Sequence, residues 1–139
     1  MRKEKKITIT DDNRDRGKQF MVREMSAVEF LEWTTKAVWG MRKGSQELPD
    51  QSHGGLLAVA AAGMGIFSMM PPETALELQM ELLDSVFVIP DSRHPELYQA
   101  MKGDQGLDYW IKEVQTLVRL TSEALDLNSN FSGHGETST

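Results

Sequence analysis

No cysteine occurs among the 139 residues, which excludes disulfides, thiolate zinc sites, iron–sulfur clusters and a cysteine nucleophile. Basic residues are also scarce, 15 against 21 acidic ones, leaving a net charge of −6. A chain this acidic lacks the footprint that neutralises phosphates, so nucleic acid is not an expected partner. No apolar run reaches the ~20 residues of a membrane span, and the first residues lack the apolar core of a secretory signal. A cytoplasmic chain with no membrane partner is therefore expected. The three histidines, His53, His94 and His134, stand far apart without metal-ligand spacing. Ser52-His53-Gly54-Gly55 contains no G-x-S-x-G elbow, and Gly63-Met64-Gly65 carries no dinucleotide fingerprint. Neither a catalytic, a cofactor nor a metal site is expected, and the chain reads as a non-enzyme.

What is present suits one small domain. The hydrophobic fraction of 40% is enough for a modest core. Nine methionines are many for this length; flexible thioethers serve irregular cores and also surfaces that adapt to varied apolar partners. Charge is uneven: Met1–Met25 carries eight Lys/Arg against five Asp/Glu, and the remainder seven against sixteen. That polarity suits self-association or docking of a partner.

Ile7–Thr10 alternates in β fashion, and Gln19–Arg23 is a second β-prone run with Phe20 and Val22 on one side. Between them Asp11–Gly17 is turn chemistry, with Asx residues that bond their own backbone and a glycine free to take positive φ. The spacing predicts a hairpin, which must lie on a helix or pair its edge with another chain. Arg2–Lys6 is expected to be a mobile basic arm. Ser26 and Glu29 form a capping box that opens a helix running to about Met41, with Gly40 and Gly44 near its end. Phe30, Leu31, Thr34, Ala37, Val38 and Met41 form its apolar stripe, with Trp33 and Trp39 on opposite margins. So wide an arc means a helix nearly enclosed by its own domain, or a tryptophan margin facing a partner.

Leu56–Met70 is apolar all round, as expected of a buried helix. Pro72 starts the next helix, where Leu76, Met80, Leu83 and Phe87 repeat at core spacing. Glu73, Glu77, Glu81 and Asp84 line another side, as a solvated face or a seat for a basic partner. Val86–Pro90 can leave that helix as an extended piece; Asp91–Gly106 is mostly loop, with a helical turn at Glu96–Met101. Leu107–Leu127 reads as one last helix, with Trp110, Ile111, Val114, Leu117, Val118, Thr121 and Leu125 inward. The expected architecture is α+β and mainly α, an N-terminal β-hairpin packed on a bundle of about four helices. Residues 1–6 are an arm, 7–127 one domain, and 128–139 a mobile tail. Trp33, Trp39, Met64, Phe67, Met69 and Met70 are the candidate partner-binding residues, each also a candidate core residue.

Phe20-Met21-Val22-Arg23-Glu24-Met25-Ser26-Ala27 feeds a helix containing Glu32-Trp33 and Ala37. The chain closes with Glu113-Val114-Gln115-Thr116-Leu117-Val118-Arg119-Leu120 and Ala124-Leu125-Asp126-Leu127. This arrangement resembles the tail assembly chaperones of long-tailed bacteriophages, over most of Ile7–Phe131. It departs from them at Lys36, where an arginine is expected, and in a longer Ser92–Gly106 loop. The resemblance implies a non-enzymatic factor in the bacterial host cytoplasm that coats the tape measure protein and keeps it soluble. Tail tube protein then displaces it, and it is absent from the finished virion. The tail tube protein is thus a second candidate partner, and a homo-oligomer is compatible. The alternative is a structural or adaptor component that stays in the phage tail.

Overall fold

The computed structural model describes residues 2–44 and 63–129. The expectations for the Leu56–Ala62 stretch and for the tail from residue 130 lie outside the described residues; Asn128 and Ser129, expected in the tail, belong to the last helix. The fold is α+β and mainly α, as the patterning predicts, and it falls into two compact units, 1–24 with 82–127 and 25–81 with the C-terminal residues.

The first unit is built on an antiparallel sheet in the order β1-β2-β3-β4: Glu4–Thr8, Gln19–Arg23, Val86–Ile89 and Gln99–Ala100. β1 begins at Glu4, so Glu4–Lys6 belong to a strand and not to a mobile arm. One edge of the hairpin, that of β2, is covered within the chain, while β1 ends the sheet: Phe20 pairs with Val88 and Val22 with Val86. β-branched and aromatic residues suit this doubly paired position. β4 pairs Ala100 with Phe87, replacing the expected helical turn over Glu96–Met101 by extended backbone.

Ile7, Phe20, Val22, Val86 and Val88 share one sheet face and are buried. Lys5 lies on the same face and reaches Glu123 at 2.9 Å, which identifies α4 (Val114–Ser129) as the helix over it. Thr116, Leu120, Thr121, Ala124 and Leu125 form the buried side of α4. Each fully buried aliphatic or aromatic side chain here contributes roughly 1.5–3 kcal/mol. Val114 and Val118, expected inside, are instead exposed. A short α3 (Leu107–Trp110) precedes α4, and the two are separated by extended backbone at Ile111.

The second unit contains α1 (Ala27–Gly44), a 3-10 helix (Gly63–Met69) and α2 (Pro72–Leu83) as far as Glu81. The capping box at the start of α1 is formed: Ser26 N–H donates to Glu29 Oε1 at 2.9 Å, and Glu29 N–H to Ser26 Oγ at 3.1 Å. Gly40 does not stop the helix; α1 runs past it to Gly44. The described end of the Leu56–Met70 stretch is 3-10 and not α, with Gly63 at φ +57°. Only Ile66 in it, and Met70 just beyond, are fully buried.

Candidate functional site

Two places in the chain concentrate polar or apolar groups beyond what the fold needs. The first lies in the sheet unit. Asn13 Oδ1 accepts the Asp15 N–H at 2.9 Å, and Gly17 takes φ +89°, so the predicted turn chemistry is realised. The turn also aims Asp15 inward. Its carboxylate accepts the Lys112 N–H and the Glu113 N–H, each at 2.9 Å, the Thr116 hydroxyl at 2.6 Å and the Lys18 ammonium at 2.7 Å. In one continuous helix the Lys112 and Glu113 N–H groups would donate to carbonyls four residues back. Asp15 takes them instead, which is why the predicted Leu107–Leu127 helix is split. It places a negative charge at the N-terminus of α4, where the helix dipole favours one.

The surrounding groups complete this knot. Lys18 also donates to the Trp110 carbonyl at 2.8 Å, and Arg14 holds Glu113 at 2.8 Å and the Lys112 carbonyl at 2.9 Å. Burial pushes the Asp15 carboxyl up, but the hydrogen bonds from Lys18, Thr116 and the Lys112 and Glu113 backbone outweigh it and hold it at about 2. A carboxylate with both oxygens engaged and held ionised is a fastener, not a proton carrier. Among the described residues no cluster of His, Asp or Glu has the arrangement to hold a metal ion.

The second place is α1 and its surroundings in the helical unit. The helix has two apolar sides. Phe30, Trp33, Thr34, Ala37 and Met41 are buried. Trp33 is 1% exposed, stacks on Phe30 at 5.8 Å, meets Phe67 edge-on at 6.3 Å and donates its indole N–H to the Leu78 carbonyl at 3.0 Å. It is an anchor of the core and offers no surface to a partner. Met70 is likewise buried, lying close to Gly40, where a Cβ would stand 3.3 Å from the Met70 Cβ. Met64, Phe67 and Met69 are half-buried on the 3-10 helix.

Trp39 is the one residue of the predicted set that stands clear, 57% exposed, with the Arg42 guanidinium 5.4 Å from its ring centroid. It belongs to an outward row with Val28 and Leu31, both exposed. The wide apolar arc of α1 is thereby divided into a sealed side and an open one. Leu31 was expected in the core and is not there, because the buried side is centred on Ala37 and Leu31 falls outside it.

A similar phase shift applies to α2. Leu76 and Met80, expected inside, are exposed, while Ala75 and Leu78 are buried. The acidic line is partly answered by Lys36 of α1, 2.8 Å from Glu81 and 4.0 Å from Glu77. The Glu81 hydrogen bond raises the Lys36 ammonium above its ordinary range. In this unit Val28, Leu31, Leu76 and Met80 are surface residues that sequence reasoning did not place there. For Val28 the signal was the three- and four-residue recurrence of Val28, Leu31, Thr35, Val38 and Arg42, which defines a second seam beside the buried one.

No helix among the described residues is long and apolar enough to cross a membrane. No protein-family model matches the chain, and no match is found among curated proteins or solved structures.

Proposed function

We propose that this chain is a non-enzymatic assembly chaperone of a long-tailed bacteriophage, acting in the host cytoplasm to bind the tape measure protein and keep it soluble. The observation that carries this reading is the apolar row turned to solvent on α2 of the helical unit, Leu76 and Met80. The motifs shared with tail assembly chaperones, from Phe20 to Ala27 and from Glu113 to Leu127, support the same reading. An amphipathic helix docks by laying its apolar side on such a row. Leu76 and Met80 are flanked by the exposed Glu73 and Glu77, which favours client helices with basic margins. The thioether of Met80 adapts to whatever side chain arrives. Burying one exposed leucine contributes roughly 1.5–3 kcal/mol. Each copy therefore binds weakly, and many copies along one rod hold it together until tube subunits displace them.

Co-expression with the tape measure protein of the same gene cluster tests this. The client is expected in the soluble fraction only when this chain is present. The variant Leu76→Glu/Met80→Glu should lose that effect while keeping its circular dichroism. A client equally insoluble with and without the chain overturns the reading, and stoichiometric chain in purified tails would replace it by a structural tail component.

A further inference from the structure

We propose that the outward row of α1 is a self-pairing surface, on which a second copy of this chain docks α1 against α1 in antiparallel fashion about a two-fold axis at Thr35. This goes beyond the chaperone reading and needs no client. Val28, Leu31, Thr35, Val38 and Arg42 recur at alternating steps of three and four, the spacing that keeps one seam facing a partner helix. Leu31 is 60% exposed and Val28 66%, so among the described residues nothing covers the seam.

Three observations choose a second copy as the occupant. First, the row is self-complementary in charge. Its N-terminal half is bordered by Glu32, and its C-terminal half by Arg42 and Lys43. An antiparallel pair sets the acid of one copy beside bases of the other, whereas a parallel pair would set like charges together. Second, the row is self-complementary in size. An axis at Thr35 places Leu31, four residues before it, against Trp39 of the other copy, four residues after it. A large aromatic thus meets an aliphatic on each side of a small central residue. Third, the polar residue at the crossing is satisfied without a partner: the Thr35 hydroxyl donates to the Leu31 carbonyl of its own helix at 2.8 Å. Burying it leaves no stranded donor, and its methyl group joins the seam. Arg42, already stacked over Trp39, extends the seam as a charged rim.

The test is sedimentation equilibrium of the full chain, with variants checked by circular dichroism. The wild type is expected to be a concentration-dependent dimer. Leu31→Glu and Trp39→Lys should each weaken it at least roughly tenfold, the loss expected of a central anchor. An equimolar mixture of the two should recover a heterodimer, since the axis sets position 31 of one copy against position 39 of the other. Because the chain has no cysteine, Thr35→Cys supplies a unique thiol. A short bismaleimide should join two such chains far faster than it joins Gln115→Cys chains. A wild type monomeric at hundreds of micromolar overturns the proposal. So does a dimer indifferent to Leu31→Glu, a mixture that stays monomeric, or equal cross-linking of the two thiol variants.

Discussion

Asp15 and Thr116 stand 101 residues apart in the chain, and the Thr116 hydroxyl donates to Asp15 Oδ2 at 2.6 Å. A loop carboxylate from the hairpin therefore serves as the N-terminal cap of the last helix, a role normally filled by a neighbour in sequence. Asp15 is fully buried. Asp15→Ala strands two backbone N–H groups, one hydroxyl and an ammonium, and is expected to cost about 3 kcal/mol or more. Thr116→Val removes one of these bonds and should cost about 1 kcal/mol. Urea midpoints of the two variants check the order.

Asp15 also dictates an acid response. Its carboxyl is held at about 2, below the ordinary 3.8. Its stabilisation is complete above pH 4 and is lost as pH falls through 2. The difference amounts to about 2 kcal/mol. Stability measured from pH 5 to pH 2 should fall in the wild type, and the Asp15→Asn variant should fall less steeply while starting lower. Parallel curves for the two proteins would remove Asp15 as the cause.

Gly40 is required by a close approach. A Cβ there would stand 2.9 Å from Thr74 Cγ2 and 3.3 Å from the Met70 Cβ. Gly40→Ala gains about 1 kcal/mol of helix propensity but overpacks the contact at a cost of about 1–3 kcal/mol. A net loss of about 1 kcal/mol is expected. Thr74→Ser removes the nearer methyl group, so the double variant should recover most of the loss in thermal unfolding.

The tryptophans of α1 should separate cleanly in solution. Trp33→Ala opens a cavity in the core and is expected to cost about 3–5 kcal/mol. Trp39→Ala, which within one chain loses only the Arg42 contact, should leave the unfolding stability of the monomeric chain within about 1 kcal/mol of the wild type. In the chain diluted until it is monomeric, iodide should quench the Trp39 contribution to fluorescence, read as the difference between wild type and Trp39→Phe, and leave that of Trp33 dark to the quencher. Equal quenching of both indoles would contradict the two-sided helix.

Local chemistry was legible wherever partners lie close in sequence. Ser26 and Glu29 form the predicted capping box, Asn13 bonds the Asp15 backbone, Gly17 takes a positive φ, and Phe20 and Val22 share the buried sheet face. The phase of the longer helices was not legible. On α2 the row Leu76–Met80 and the row Ala75–Leu78–Leu82 both carry helical spacing, and on α4 Val114–Val118 competes with Leu120–Ala124. Periodicity reports that an apolar row exists; with two rows on one helix it does not say which is covered.

The chain by itself determines the α+β class, the hairpin, the starts of α1 and α2 and the surplus of apolar helix surface, because each of these rests on residues within a few positions of one another. Tertiary structure alone decided that β3 closes the β2 edge of the hairpin, that Asp15 breaks the last helix by capturing the Lys112 and Glu113 N–H groups, and that Trp33 is sealed while Trp39 is open. Those outcomes depend on groups dozens of residues away competing for the same hydrogen bonds and the same apolar side, a competition no local pattern records.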